Sequence, residues 1–229
     1  MMKVFQYSGI GQRTVNQDRA IVQPYGDNEA LFIIADGMGG YANGEEAAAL
    51  VAEAISVFVT DHYNALQPDE LLREAVDEAN GYLAIRRYAY GFPSMGAVVA
   101  IALVKGDTAY CTWLGDSRIY HYRDGQCLFM SSDHTALKEQ GAKRVLTPAQ
   151  IQRYANTVTR CIMGDRPVDP VEVTTLQLQP GDTLILCSDG IHKNVNVEQL
   201  PTNNDQLQQF LQDNTTLFDD NYTIIKTTI

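Results

Sequence analysis

Two apolar segments of this chain each end on an Asp-Gly pair, a position from which a carboxylate can bind a metal ion. Residues 31–37 and 183–190 form these segments, and their aspartates are Asp36 and Asp189. An apolar run without polar alternation, like the first, is typical of a strand that is buried on both faces. An aspartate at the end of such a strand lies at the rim of the core, where two neighbouring anions are costly unless a cation neutralises them. The pattern therefore indicates bound metal ions.

Other aspartates follow predicted strands or occupy tight turns that contain Gly or Asn. They are Asp18, Asp116, Asp219 and Asp220. Each one is a weak indication, because Asp-Gly after a strand is most often only a turn. Carboxylate oxygens are hard ligands, and the chain has no His pair or Cys pair at ligand spacing. Mg²⁺ or Mn²⁺ therefore fits better than zinc, iron or copper. Spacing alone does not establish that these aspartates converge.

The bulk composition favours one cytoplasmic domain. The 229 residues suffice for one sizeable core, so we predict a single domain over residues 1–229. No apolar stretch has the length of a membrane span, and the N-terminus does not resemble a secretory signal. The four cysteines (Cys111, Cys127, Cys161 and Cys187) are scattered, which favours free thiols over a disulfide or zinc site. A net charge of −11 argues against nucleic-acid and anionic-membrane partners.

Hydrophobic periodicity and turn residues predict the elements that must position the aspartates. Strands are expected at residues 4–8, 20–23, 31–35, 97–104, 108–114, 118–122, 126–130, 171–178, 183–187 and 222–228. Helices are expected from a cap at Asn43 to about residue 62, from Pro68 to about residue 88, and over 205–212, with two short helices between 131 and 170. The short links after residues 104, 114 and 122 favour antiparallel pairing. This order predicts an α+β fold of two antiparallel sheets covered by helices.

The motifs together resemble the PPM family, the metal-dependent type 2C protein serine/threonine phosphatases, and in particular its bacterial single-domain members. The segments that carry the resemblance are, in chain order, Gly11-Gln12-Arg13-Thr14-Val15-Asn16-Gln17-Asp18, Asp36-Gly37-Met38-Gly39-Gly40, Gly115-Asp116-Ser117-Arg118, Asp133-His134, Ser188-Asp189-Gly190 and Asp220-Asn221-Tyr222-Thr223. The combination is highly specific and spans residues 11–225. It implies a β-sandwich of two antiparallel sheets flanked by α-helices, in four αββα layers.

The resemblance also implies a set of metal ligands. Asp36 would bridge two Mg²⁺ or Mn²⁺ ions, and the Gly37 carbonyl would bind one of them. Asp189 and Asp220 would complete this pair of sites. Asp116 resembles the ligand of a third, weaker ion.

The expected activity is hydrolysis of phosphoserine and phosphothreonine by attack of a metal-bridging hydroxide. Asp18 would hold metal-bound waters, and Arg13 would grip the substrate phosphate, because a planar guanidinium matches phosphate oxygens. The family also implies phosphoprotein substrates, an opposing Ser/Thr protein kinase, a role in signalling and a monomeric state.

Two departures from the family pattern leave alternatives open. Tyr41 stands where bacterial members usually have His, and Gly96-Ala97-Val98 replaces the usual Gly-Thr-Thr. One alternative is a phosphoprotein-binding signalling module that has lost turnover, and another is a hydrolase of small phosphate esters. His134 matches a family motif and is expected to order a loop near the site.

Overall fold

Two antiparallel sheets, packed face to face, make up the centre of the fold. The computed structural model describes residues 2–38, 43–91, 95–141 and 145–229. The described strands are β1 (Lys3–Gly9), β2 (Asp18–Gly26), β3 (Glu29–Gly37), β4 (Ala97–Lys105), β5 (Thr108–Leu114), β6 (Arg118–Arg123), β7 (Gln126–Met130), β8 (Thr174–Gln177), β9 (Thr183–Cys187) and β10 (Tyr222–Thr228). They form sheet A, in the order β1-β10-β9-β6-β7, and sheet B, in the order β2-β3-β4-β5-β8.

Helices cover the outer faces of both sheets. The described α-helices are α1 (Gly44–His62), α2 (Pro68–Tyr90), α3 (Ala136–Gly141), α4 (Pro148–Ala155), α5 (Asp189–His192) and α6 (Asn204–Asp213). Helices α1 and α2 pack on sheet B, and the much shorter α5 and α6 pack on sheet A. None of the described helices combines the length and the apolar character needed to cross a bilayer.

Strand β3 shows why the central strands carry uninterrupted apolar runs. Leu31 and Ile33 face α1 and α2, while Phe32 and Ile34 face the other sheet, and all four side chains are fully buried. Burying a side chain of this size contributes about 1.5–3 kcal/mol. A third cluster, between sheet A and α6, contains Ile224 and Leu211. The predicted four-layer αββα fold is therefore confirmed.

One predicted pairing is wrong. The short link at residues 115–117 favours a hairpin, but β5 lies in sheet B and β6 lies in sheet A. Gly115 has a φ of 103°, and a side chain there would overlap Val98. A conformation available almost only to glycine thus lets the chain step from one sheet to the other in a short turn. The hairpins β4–β5 and β6–β7 pair as predicted.

Three local predictions also need revision. Asn43 precedes α1, but it has a left-handed φ of 66° and makes no side-chain cap, which needs an extended backbone. The strand expected at 171–178 is shortened to Thr174–Gln177. Asp189 does not end strand β9 directly, since it opens the four-residue helix α5. All four cysteines have free thiols; Cys111 and Cys187 are buried, whereas Cys127 and Cys161 are half-buried.

Candidate metal centre

The site begins with two aspartates on neighbouring strands of sheet B. Asp18 opens β2, Asp36 lies near the end of β3, and the strand register places them directly opposite each other. Like charges in such a cross-strand pair are unfavourable. The hydroxyl of Ser188, the residue between β9 and α5, donates a 2.8 Å hydrogen bond to Asp18 Oδ2. The other oxygen, Asp18 Oδ1, is buried and has no hydrogen-bond partner among the residues that the structure describes.

Burial and mutual repulsion make these two carboxyls difficult to ionise. Burial raises the pKa of Asp18 to about 7; hydrogen bonds from Thr223 and Ser188 oppose this rise, and nearby negative charges add to it. Burial likewise raises the pKa of Asp36 well above its usual value, and the charges of the surrounding aspartates raise it further. A bound cation would remove this penalty.

Sheet A contributes Asp189 and Asp220 to the same end of the sandwich. Asp189 follows β9, and Asp220 precedes β10, its neighbour in the sheet. Gly190 allows the close approach of these two segments, because a Cβ atom there would overlap the Asn221 carbonyl. Asp36, near the end of β3, and Asp189, after β9, thus come from opposed sheets.

Asn221 joins the loop that carries Arg13 to this end of sheet A. Its side-chain amide donates to the carbonyls of Ile10 and Val15, at 2.9 and 3.0 Å, and its Oδ1 accepts from the Gln17 amide at 2.9 Å. These bonds place Arg13 at the mouth of the site, where Nη2 donates a 2.6 Å bond to Asp220 Oδ2. The Arg13 side chain is 49% exposed, so the guanidinium can reach a ligand from solvent.

Asp116 is a nearly buried carboxylate, and it forms an ion pair with a lysine. Its side chain is 5% exposed and lies in the turn between β5 and β6. Lys193 Nζ donates to Asp116 Oδ2 at 2.9 Å and to Asp189 Oδ2 at 2.7 Å. The Asp116 carbonyl accepts a 2.8 Å bond from His192 Nε2, which attaches the end of α5 to this turn.

One open cavity of about 590 Å³ collects these groups. Every predicted site residue except Asp18 lines it: Arg13, Asp36, Gly37, Asp116, Asp189 and Asp220. Asp18 lies behind them, opposite Asp36. Lys193 also lines the cavity, as do residues 156–158, which follow α4. The structure therefore brings the predicted set together.

The donor set fits hard divalent cations. Carboxylates and the Gly37 carbonyl are the oxygen ligands that Mg²⁺ and Mn²⁺ prefer, and the unpartnered Asp18 Oδ1 suits a water that an ion holds. Within the described ranges, no group of three or more His, Cys, Asp or Glu side chains is arranged so that it could hold a metal ion as it stands. Lys193 and Arg13 take up carboxylate oxygens instead, so ion binding requires these contacts to rearrange.

Two further predictions concern neighbours of the site. His134 orders the turn before Asp116: its backbone N–H donates to the Gly115 carbonyl at 2.8 Å, and its Nδ1 accepts from the Gly115 amide at 3.2 Å. This agrees with the expected ordering role. Tyr41 lies outside the described residues.

The prediction missed Lys193 and Asn221. Lys193 is four residues after Asp189, and this spacing would have identified it had the short helix α5 been predicted. Asn221 belongs to the motif at residues 220–223. Its contacts are with residues more than 200 positions away, and no local sequence pattern predicts them.

Comparison with known proteins agrees with this site. Residues 5–223 match the family model described as Protein phosphatase 2C. A putative protein phosphatase 2C-type protein of Streptococcus pyogenes serotype M6 is 29% identical over 209 residues, which are 88% of this chain and 83% of that protein.

Solved structures share the fold. The serine/threonine phosphatase PstP/Ppp of Mycobacterium tuberculosis superposes with a TM-score of 0.82 at 25% identity, over 100% of this chain and 98% of that one. The catalytic domain of PstP in complex with two manganese ions gives a TM-score of 0.78 at 26% identity, over 99% and 97% of the two chains. Because the family model matches most of its length, this chain belongs to the protein phosphatase 2C family.

Proposed function

We propose that this chain removes phosphate from phosphoserine and phosphothreonine in proteins, with two Mn²⁺ or Mg²⁺ ions as cofactors. The observation that carries the proposal is the convergence of Asp36, Asp189 and Asp220 on one open cavity with Arg13 at its mouth. Family membership supports the same activity, and the manganese complex of a related catalytic domain supports divalent ions.

Each residue of the cavity has a proposed task. Asp36, the Gly37 carbonyl, Asp189 and Asp220 would hold the two ions. When bound, such ions supply an activated water near neutral pH and neutralise charge on the phosphoryl group. Asp18 orients water through its unpartnered Oδ1.

Arg13 binds the substrate phosphate. Its guanidinium is half exposed and already pairs with an anionic oxygen, that of Asp220. A phosphate that enters the cavity offers the same kind of acceptor in a geometry that suits the planar fork. Binding there aligns the phosphorus with the carboxylate cluster.

The cysteines do not offer a competing nucleophile. None of the four lines the cavity, and burial raises the pKa of the Cys111 thiol to about 12. Burial also holds the pKa of Cys187 far above its usual value. Thiols that stay protonated are poor nucleophiles, which favours an activated water.

The biological setting follows from the same activity. We infer that the chain acts as a monomeric single domain in the cytoplasm and reverses the action of a Ser/Thr protein kinase. Its substrates are phosphoproteins, in keeping with the family.

The test is release of phosphate from a phosphothreonine peptide in the presence of Mn²⁺. We expect turnover by the wild-type chain and none by Asp189→Asn, while Asp213→Asn, an exposed change on α6, stays active. If the peptide remains intact while an unrelated active phosphatase cleaves it, the proposal is wrong. Peptide binding without release, with activity gained by Tyr41→His, would instead support a binding module. Faster hydrolysis of small phosphate esters than of peptides would support a metabolite hydrolase.

A further inference from the structure

Lys193 places a positive charge against Asp116, the residue that the family resemblance gives as the ligand of a third metal ion. Its Nζ lies 2.9 Å from Asp116 Oδ2 and 2.7 Å from Asp189 Oδ2, so one ammonium bridges the two carboxylates. A third divalent ion held by Asp116 would need the carboxylate that Lys193 already occupies. Lysine and metal therefore compete for one place.

The lysine is held there by its surroundings. Its backbone N–H donates to the Asp189 carbonyl at 2.9 Å, which closes the turn that aims the side chain back along α5. The adjacent His192 bonds the Asp116 carbonyl, so α5 and the Asp116 turn are fastened at two consecutive residues. An ammonium attached to the chain is present at the site without a loss of translational freedom. A third ion must bind from solution and displace it.

The energetics favour the lysine over an added ion. Asp116 is almost fully enclosed, so separating it from Lys193 leaves a buried charge without its partner, which is unfavourable. A third ion would have to separate Lys193 from Asp116 while the two principal ions already place positive charge nearby. A third ion and the Lys193 ammonium cannot both contact Asp116 Oδ2 without strong repulsion.

We propose that Lys193 takes the place of a third metal ion, so that this phosphatase binds two divalent ions and neutralises Asp116 with its own side chain. This inference rests on the proposed function for the first two ions. It assigns Asp116 to positioning the lysine, in contrast to the ligand role that family resemblance implies.

The experiment counts bound Mn²⁺ per chain by equilibrium dialysis and metal analysis, which needs no activity. We expect two ions for the wild type and three for Lys193→Met, which keeps the length of the side chain and removes its charge. The double variant Lys193→Met/Asp116→Asn should return to two. The matched control is Lys3→Met, an exposed lysine at the far end of β1, and it should also bind two.

Asp116→Asn alone supplies a second measurement if Lys193→Met does not fold. The inference predicts that this variant still binds two ions, because Asp116 holds the lysine and no metal. A wild-type count of three, a folded Lys193→Met that stays at two, or a loss of one ion in Asp116→Asn would each overturn the inference and leave the phosphatase activity standing. A wild type that binds no Mn²⁺ would overturn the proposed function as well.

Discussion

Asp18 and Asp36 lie directly opposite each other on the paired strands β2 and β3, at the end of sheet B that opens into the cavity. Two carboxylates directly opposite each other destabilise a sheet. Burial raises the pKa of both. The fold therefore carries a local electrostatic cost that a bound divalent cation would offset. The two carboxylates proposed for the metal centre are thus also a source of instability in the metal-free fold.

Asp36→Asn should stabilise the metal-free protein and abolish its activity. Asparagine removes the burial cost and the repulsion that raise the pKa of Asp36 well above its usual value, so the metal-free variant should unfold at a higher urea concentration than the wild type. Mn²⁺ at 100 times its dissociation constant should stabilise the wild type by about 2.7 kcal/mol per site, and the variant by less. Urea unfolding with EDTA and with Mn²⁺ measures both effects. Asp61→Asn, an exposed change on α1, should behave as the wild type; a metal-free Asp36→Asn less stable than the wild type would contradict the argument.

Arg13→Lys should lower kcat/KM for a phosphothreonine peptide by about 10- to 100-fold, which corresponds to about 1.5–3 kcal/mol for hydrogen bonds to a charged group. Lysine keeps the charge but loses the planar fork. The number of bound Mn²⁺ ions should not change, because Arg13 donates to Asp220 and is no ligand. Arg19→Lys, in a half-exposed pair with Glu53, is the matched control. An unaltered kcat/KM in Arg13→Lys would show that the Arg13 guanidinium does not bind the substrate phosphate.

Gly190→Ala should destabilise the junction between α5 and β10. The added methyl group would overlap the Asn221 carbonyl, and overpacking of this kind costs about 1–3 kcal/mol. Separation of the two segments should also weaken Mn²⁺ binding, because they carry Asp189 and Asp220.

Gly81→Ala is the control for the glycine substitution. Gly81 lies within α2 and has open space around its Cα, so alanine should be neutral or stabilising by about 0.5–1 kcal/mol. Thermal unfolding and calorimetric titration with Mn²⁺ measure both variants. Equal effects of the two substitutions would show that the Gly190 contact does not matter.

Asp182→Asn should cost about 3–5 kcal/mol at pH 7, because it breaks a buried charge pair at the end of sheet A remote from Asp189. Arg123 donates two bonds of 2.8 Å to the Asp182 carboxylate, and His121 Nε2 lies 2.8 Å from Oδ2. The Arg123 guanidinium, with help from His121, holds the pKa of Asp182 well below its usual range, against the opposing effect of burial.

The pH dependence of this effect has a definite sign. A carboxyl whose pKa is lowered by folding contributes its full stability above its unfolded pKa of about 3.9. That stability is lost as the pH falls from there towards the folded value. The difference in unfolding free energy between the wild type and Asp182→Asn should therefore be constant from pH 7 to about pH 5 and shrink below about pH 4. Chemical unfolding at several pH values measures it, with the exposed Asp27→Asn as control. A difference that grows on acidification would refute the assignment.

The fold and most of the site follow from local patterns. Strands β3 and β4 are apolar on both faces because helices cover one face and a second sheet covers the other. Uninterrupted apolar runs of this kind can be recognised directly in the sequence. An aspartate followed by glycine at the end of an apolar segment marks Asp36 and Asp189 as candidate site residues from the sequence alone. The motifs then add Arg13, Asp116 and Asp220.

Other features exist only once the chain is folded. The turn at Gly115 resembles a hairpin in every local respect, yet it crosses between sheets, because the neighbours available to β5 and β6 are decided by distant strands. The bridge from Lys193 to Asp116 joins residues 77 positions apart. Asn221 contacts a loop more than 200 positions away. Residue periodicity reports burial and backbone preference, whereas the pairing of one lysine with one carboxylate depends on long-range packing that no local pattern encodes.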